Sequence, residues 1–76
     1  MFTAREIKEM VDAQPFRPFR IHMSDGSSYE VSNHDAAMVT RHFVEVGVNP
    51  DRDGILERIV RCAILHISRV EETQVA

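Results

Sequence analysis

Pro15-Phe16-Arg17-Pro18-Phe19-Arg20-Ile21-His22-Met23-Ser24-Asp25-Gly26 is where the chain changes its period. Two prolines fix φ and supply no N–H, so the first four residues form a rigid connector and not a central strand. From Phe19 the apolar residues alternate. Phe19, Ile21 and Met23 point one way, and Arg20, His22 and Ser24 the other. Asp25-Gly26 then supplies the positive-φ position of a tight hairpin. Tyr29 and Val31 continue the apolar face on the return strand, with Glu30 and Ser32 outside.

Upstream of the connector the period is helical. Thr3 and Glu6 have capping-box spacing, and Phe2 and Ile7 have the spacing of a hydrophobic staple. Ile7, Met10 and Val11 share one face, and Gln14-Pro15 ends the segment. The expectation is a helix over about 3–13.

Downstream, alternation dominates. Val44, Val46 and Val48 read as a strand over about 42–48. Asn49-Pro50-Asp51-Arg52-Asp53-Gly54 is a turn. Strands are expected over about 56–64 and 67–71, separated by a tight turn at Ile64-Leu65-His66. With the hairpin strands at about 19–24 and 28–32, the count is five. Residues 33–40 show no clear period and read as a cap followed by one helical turn or an irregular loop. The fold class expected for 1–76 as a single domain is mainly β (α+β). An N-terminal helix precedes a five-stranded antiparallel small barrel, because closure removes the exposed strand edges of so short a sheet.

The connector and first strand resemble a family of uncharacterised small bacterial proteins. In these a short helix leads through a Pro-Phe-Arg-Pro-Phe-type segment into a strand ending in Asp-Gly. Leu65-His66-Ile67-Ser68-Arg69-Val70-Glu71 is similar to their closing segment. The resemblance covers nearly the whole chain. It implies a small Sm-like barrel and carries no activity or functional residues with it.

Composition narrows the function classes. Seventy-six residues leave no room for a second core. Nine Lys+Arg against twelve Asp+Glu give a net charge of −3, which argues against a general nucleic-acid coat or a polybasic membrane binder. Cys62 is the single cysteine, so an intrachain disulfide is excluded and a reducing compartment fits best. The N-terminus has no apolar core of a signal peptide, and no run approaches a membrane span. The expected setting is cytoplasmic. A domain of this size buries only roughly 60% of its unfolded surface, so self-association is expected to add stability.

Candidate sites are few. Cys62 lies in an apolar strand and reads as a buried hydrophobe, not a nucleophile paired with His66; Ser24 beside His22 has no elbow motif around it. His22, His34, His42 and His66 lack the i, i+4 spacing of a zinc helix. Asn49, Asp51, Asp53 and Gly54 copy the first half of a calcium loop, but position twelve falls on Val60. The three isolated glycines make no phosphate cradle. No catalytic, metal or cofactor residues are therefore assigned.

The remaining candidates for RNA or partner contact are Arg17, Arg20, Arg58, Arg61 and Arg69, with Phe16 and Tyr29 as possible stacking surfaces. Acidic residues lie near each basic strand, which favours solvated outer-face arginines over a nucleic-acid patch. The leading expectation is a non-enzymatic binding or assembly module that pairs through an edge or an apolar patch, with Arg58–Arg69 as the edge. The alternatives are an RNA-binding Sm-like protein, or a subunit with a ligand site at an oligomer interface using His22, His34 or His66.

Overall fold

A computed structural model describes residues 1–73. Helix α1 spans Ala4–Asp12. Its start follows from the capping box: Thr3 N–H donates to Glu6 Oε1 at 2.8 Å, and Glu6 N–H donates to Thr3 Oγ1 at 3.2 Å. Ile7 and Val11 form its buried stripe, and Phe2 packs against the same core. Ala13 is extended, which leaves the helix one residue short of the expected limit at each end.

The strands are β1 (Phe19–Met23), β2 (Ser28–Val31), β3 (Ala37–Val39), β4 (Phe43–Val48), β5 (Arg58–Ala63) and β6 (Ile67–Glu72). Gly26 takes φ +93° in the hairpin between β1 and β2, as the Asp-Gly pair requires. Asp25 Oδ1 accepts from both Ser27 N–H, at 2.9 Å, and Ser27 Oγ–H, at 2.6 Å. These bonds lower the Asp25 carboxyl below its ordinary value.

Six strands replace the five expected. They form two three-stranded antiparallel sheets, ordered β2-β1-β6 and β3-β4-β5. The additional strand arises where the sequence shows no period. Asn33 caps a 3-10 turn at His34–Ala36 by accepting the Asp35 N–H at 2.9 Å, and the chain leaves that turn extended along β4. A second 3-10 turn at Ile64–His66 joins β5 to β6. These two corners interrupt the ladders, so the described residues form two sheets and no closed barrel.

The strand expected from residue 56 begins at Arg58. Leu56 instead folds back over Gly47, and a Cβ at Gly47 would lie 2.6 Å from both Leu56 methyl groups. Leu56 is thus a plug on the outside of β4 and not a strand residue.

The core draws on every layer. Ile7 and Val11 come from α1; Phe19, Ile21, Val31 and Ile67 from the first sheet; Val44, Val46 and Cys62 from the second; Ile64 from the corner. Phe16 holds the connector against this core, its ring centroid 6.1 Å from that of Phe19. Burying a ring the size of Phe19 contributes roughly 1.5–3 kcal/mol. Among the described residues no helix is long and apolar enough to cross a membrane.

Candidate interaction surface

Alternation in the first sheet sends Arg20 and His22 outward, opposite the buried Phe19 and Ile21. Register then determines their neighbours. Arg20 lies between Glu30 on β2 and Glu71 on β6, and His22 lies between Ser28 and Arg69. Arg20 donates to Glu30 Oε1 at 3.3 Å and Ser28 Oγ at 3.1 Å. His22 Nε2 meets Glu71 Oε1 at 2.7 Å, and Arg69 reaches the same oxygen at 3.4 Å. The His22 hydrogen bond, with the Arg69 charge beside it, holds the Glu71 carboxyl below its ordinary value. The outer face of this sheet is a neutralised polar network.

The second sheet is built differently. Its inward residues Val44, Val46 and Cys62 are buried. Burial pushes the Cys62 thiol up, which makes it a poor nucleophile. The outward residues form three cross-strand pairs: Phe43 with Ala63, Glu45 with Arg61, and Gly47 with Ile59. Met38 of β3 stands beside Glu45. Arg61 donates to Glu45 Oε2 at 3.2 Å, and its guanidinium carbon lies 5.2 Å from the centre of the Phe43 ring. Around this pair the face is apolar and open: Met38 is 69% exposed, Ile59 63% and Phe43 36%. Leu65, at the corner beyond β5, is 65% exposed.

Four strand edges are open in the two sheets: β2 and β6 in the first, β3 and β5 in the second. The backbone of β5 can be assigned side by side. Ile64 N–H donates to the His42 carbonyl at 2.9 Å. In an antiparallel ladder the bonded pairs recur every second residue. The bonded pairs are therefore Cys62 with Val44, Val60 with Val46 and Arg58 with Val48, in the register observed. The N–H and C=O groups of Ile59, Arg61 and Ala63 point out of the sheet edge. By the same parity, the Thr73 N–H bond to the Pro18 carbonyl leaves Val70 and Glu72 facing the open edge of β6.

Each of the five arginines singled out in the sequence has a glutamate partner. Arg17 meets Glu72 at 3.5 Å, Arg20 Glu30 at 3.3 Å, Arg58 Glu57 at 3.7 Å, Arg61 Glu45 at 3.2 Å, and Arg69 Glu71 at 3.4 Å. They are spread over both sheets and are not gathered into one patch. Arg17, Arg20 and Arg69 belong to the first sheet or its connector, and Arg58 and Arg61 to β5. A polyanion would have to displace these carboxylates. Phe16 is half-buried and packs against the core.

The other candidates resolve locally. Among the described residues no three His, Cys, Asp or Glu side chains converge as a metal site. In the acidic loop, Asp51 Oδ1 accepts the N–H groups of Asp53 and Ile55, each at 2.9 Å, so this oxygen organises the turn. His34 contacts its neighbour Asp35 at 3.4 Å. His42 and His66 both line an apolar groove of about 460 Å³ that also includes Phe2, Phe43 and Leu65. A second groove, of about 250 Å³, lies between the outside of β2 and the start of the β4–β5 loop, with Arg20, Tyr29 and Arg58 on its walls. Ser32 adjoins it, and its Oγ is buried without a hydrogen-bond partner among the described residues.

The exposed apolar set on the second sheet was missed in the sequence. Phe43 and Ile59 fall within the strands expected over about 42–48 and 56–64, and only the register shows that they share the outer face. No family model, curated protein or solved structure matches the chain.

Proposed function

We propose that the chain is a non-enzymatic assembly module of the cytoplasm, an Sm-like small barrel left open at the β5 edge, that self-associates through its second sheet. The observation that carries this reading is the open edge of β5, which offers backbone N–H and C=O groups at Ile59, Arg61 and Ala63 beside exposed apolar side chains. Such an edge is a template for strand addition, and natural proteins usually blunt or cover it. The pairing of β1 with β6 supports the barrel reading, since it brings the first and last of the strands together as closure would require. The sequence resemblance to the small bacterial family supports the same layout.

Native mass spectrometry of freshly purified protein tests the reading. The expected mass is a multiple of the 8.7 kDa chain. A monomer at all concentrations overturns it, and co-purifying nucleotide mass would favour RNA binding instead. Arg61→Pro sharpens the test, because it removes an outward N–H and leaves the β4–β5 bonds of Val60 and Cys62 in place. The expected result is native circular dichroism with loss of the oligomer. An unchanged oligomer mass would remove the β5 edge from the assembly.

A further inference from the structure

We propose that the outer face of the β3-β4-β5 sheet is an isologous interface, and that its occupant is the same face of a second copy of this chain. The proposal rests on the self-association reading and specifies its surface: sheet face on sheet face, in addition to any strand added at the edge.

The argument comes from the three outward cross-strand pairs. In each, one member complements the other. Phe43 is large and Ala63 small; Glu45 is negative and Arg61 positive; Gly47 has no side chain and Ile59 projects. A two-fold axis parallel to the strands, passing between β4 and β5, exchanges the two columns across the interface. It sets Arg61 over the second copy's Glu45, Phe43 over its Ala63, and Ile59 against the Leu56 side chain that covers its Gly47. Each contact then occurs twice, as a two-fold interface requires. An arrangement with β4 over β4 would instead set Glu45 against Glu45 and leave both arginines outside.

Charge balance selects the occupant. The centre of the face carries one carboxylate and one guanidinium, held 3.2 Å apart, so a uniformly acidic or basic partner would meet a like charge. An identical face presents the matching pair. Met38, Phe43 and Ile59 surround it as the apolar area that water leaves on docking, and among the described residues Met38 and Ile59 stay largely exposed while only the Arg61 guanidinium lies over the Phe43 ring. Leu56 thickens the patch at one end by lying over Gly47. The first sheet offers no counterpart, since its outer face is occupied by the Arg20, Glu30, His22, Glu71 and Arg69 network.

Charge complementation between two variants provides the test. Glu45→Lys places positive charge at both central positions, and Arg61→Glu places negative charge at both. Each variant alone is expected to lose the face-to-face dimer by at least tenfold in dissociation constant, measured by analytical ultracentrifugation. Mixed one to one, they are expected to restore it as a heterodimer, resolved from either homodimer by native mass spectrometry with one chain isotopically labelled. Loss of the intrachain pair by itself cannot produce that recovery. Phe43→Glu serves as a second variant, with its folded state checked by circular dichroism, and is expected to be monomeric at this face.

Three outcomes overturn the proposal. One is a dimer unaffected by any of the three substitutions. Another is loss of the dimer in both charge variants without recovery on mixing. In the first case an oligomer that Arg61→Pro abolishes would leave the edge reading standing, since the Arg61 side chain would already have been shown not to matter. A natural chain that is monomeric throughout overturns the face and the self-association reading together.

Discussion

The two sheets share a core and an antiparallel construction, yet they meet water in opposite ways. Outside the first, Arg20, Glu30, His22, Glu71 and Arg69 close on one another in hydrogen bonds and ion pairs. Outside the second, a single Glu45–Arg61 pair stands among Met38, Phe43 and Ile59. Exposed ion pairs add little stability individually, so the network on the first sheet is better understood as satisfying a surface than as holding the fold together. The apolar side chains of the second would gain by leaving water. The difference teaches that one sheet presents paired polar groups to water and the other leaves apolar side chains there, so the surface to test for association is the second sheet.

The largest expected effect breaks both sheets at once. Phe19 is fully buried where the first sheet meets the helix and the second sheet. Phe19→Ala is expected to lower the unfolding free energy by about 3–5 kcal/mol, read from urea denaturation. A loss below about 1 kcal/mol would mean that the sheets do not share this core.

A smaller effect isolates the second sheet. Gly47→Ala introduces a Cβ into the space that Leu56 fills, and Leu56 can move because it is half-buried. The expected cost is about 1 kcal/mol, at the low end for an overpacked site. Near-neutral stability with an altered oligomer mass would show instead that Leu56 serves the interface more than the fold.

The smallest effect belongs to the first sheet and depends on pH. The His22 hydrogen bond and Arg69 hold Glu71 below its ordinary pKa, so the folded chain binds this proton less readily than the unfolded chain. The stabilisation is fully present above the ordinary carboxylate value. It is lost as pH falls through the lowered native value. Parent and Glu71→Gln are therefore expected to differ in denaturation midpoint at neutral pH and to converge under acid. A gap of constant size across that range would show that Glu71 acts through shape and not through charge.

Local chemistry made much of this fold legible. Thr3 and Glu6 announced the helix start, Asp25-Gly26 the hairpin, and the alternation around Phe19 and Val44 the strands that carry the core. Residues 37–39 did not read as a strand because three residues show no period, and their extended form depends on β4. Leu56 misled for the opposite reason. Its apolar character fitted a strand, but the vacancy at Gly47 captures it from outside the sheet. For the candidate surface, residue types were visible and partners were not. Arg20 opposite Glu30 lies within one hairpin and was within reach of the sequence. Arg17 with Glu72 and His22 with Glu71 join residues far apart in the chain, and only tertiary register makes them neighbours.

The pairing of β1 with β6 also bears on synthesis. The His22–Glu71 contact spans 49 residues, so β1 leaves the ribosome well before its second neighbour exists. Until β6 arrives, Phe19 and Ile21 have the hairpin on one side and a bare strand edge on the other. Closing so long a segment costs chain entropy before any contact repays it. The nascent chain thus passes through an interval in which a strand that supplies two fully buried core residues is half-paired and open to other chains. The moment of greatest vulnerability to misassembly falls during translation, and the finished protein exposes a different sheet.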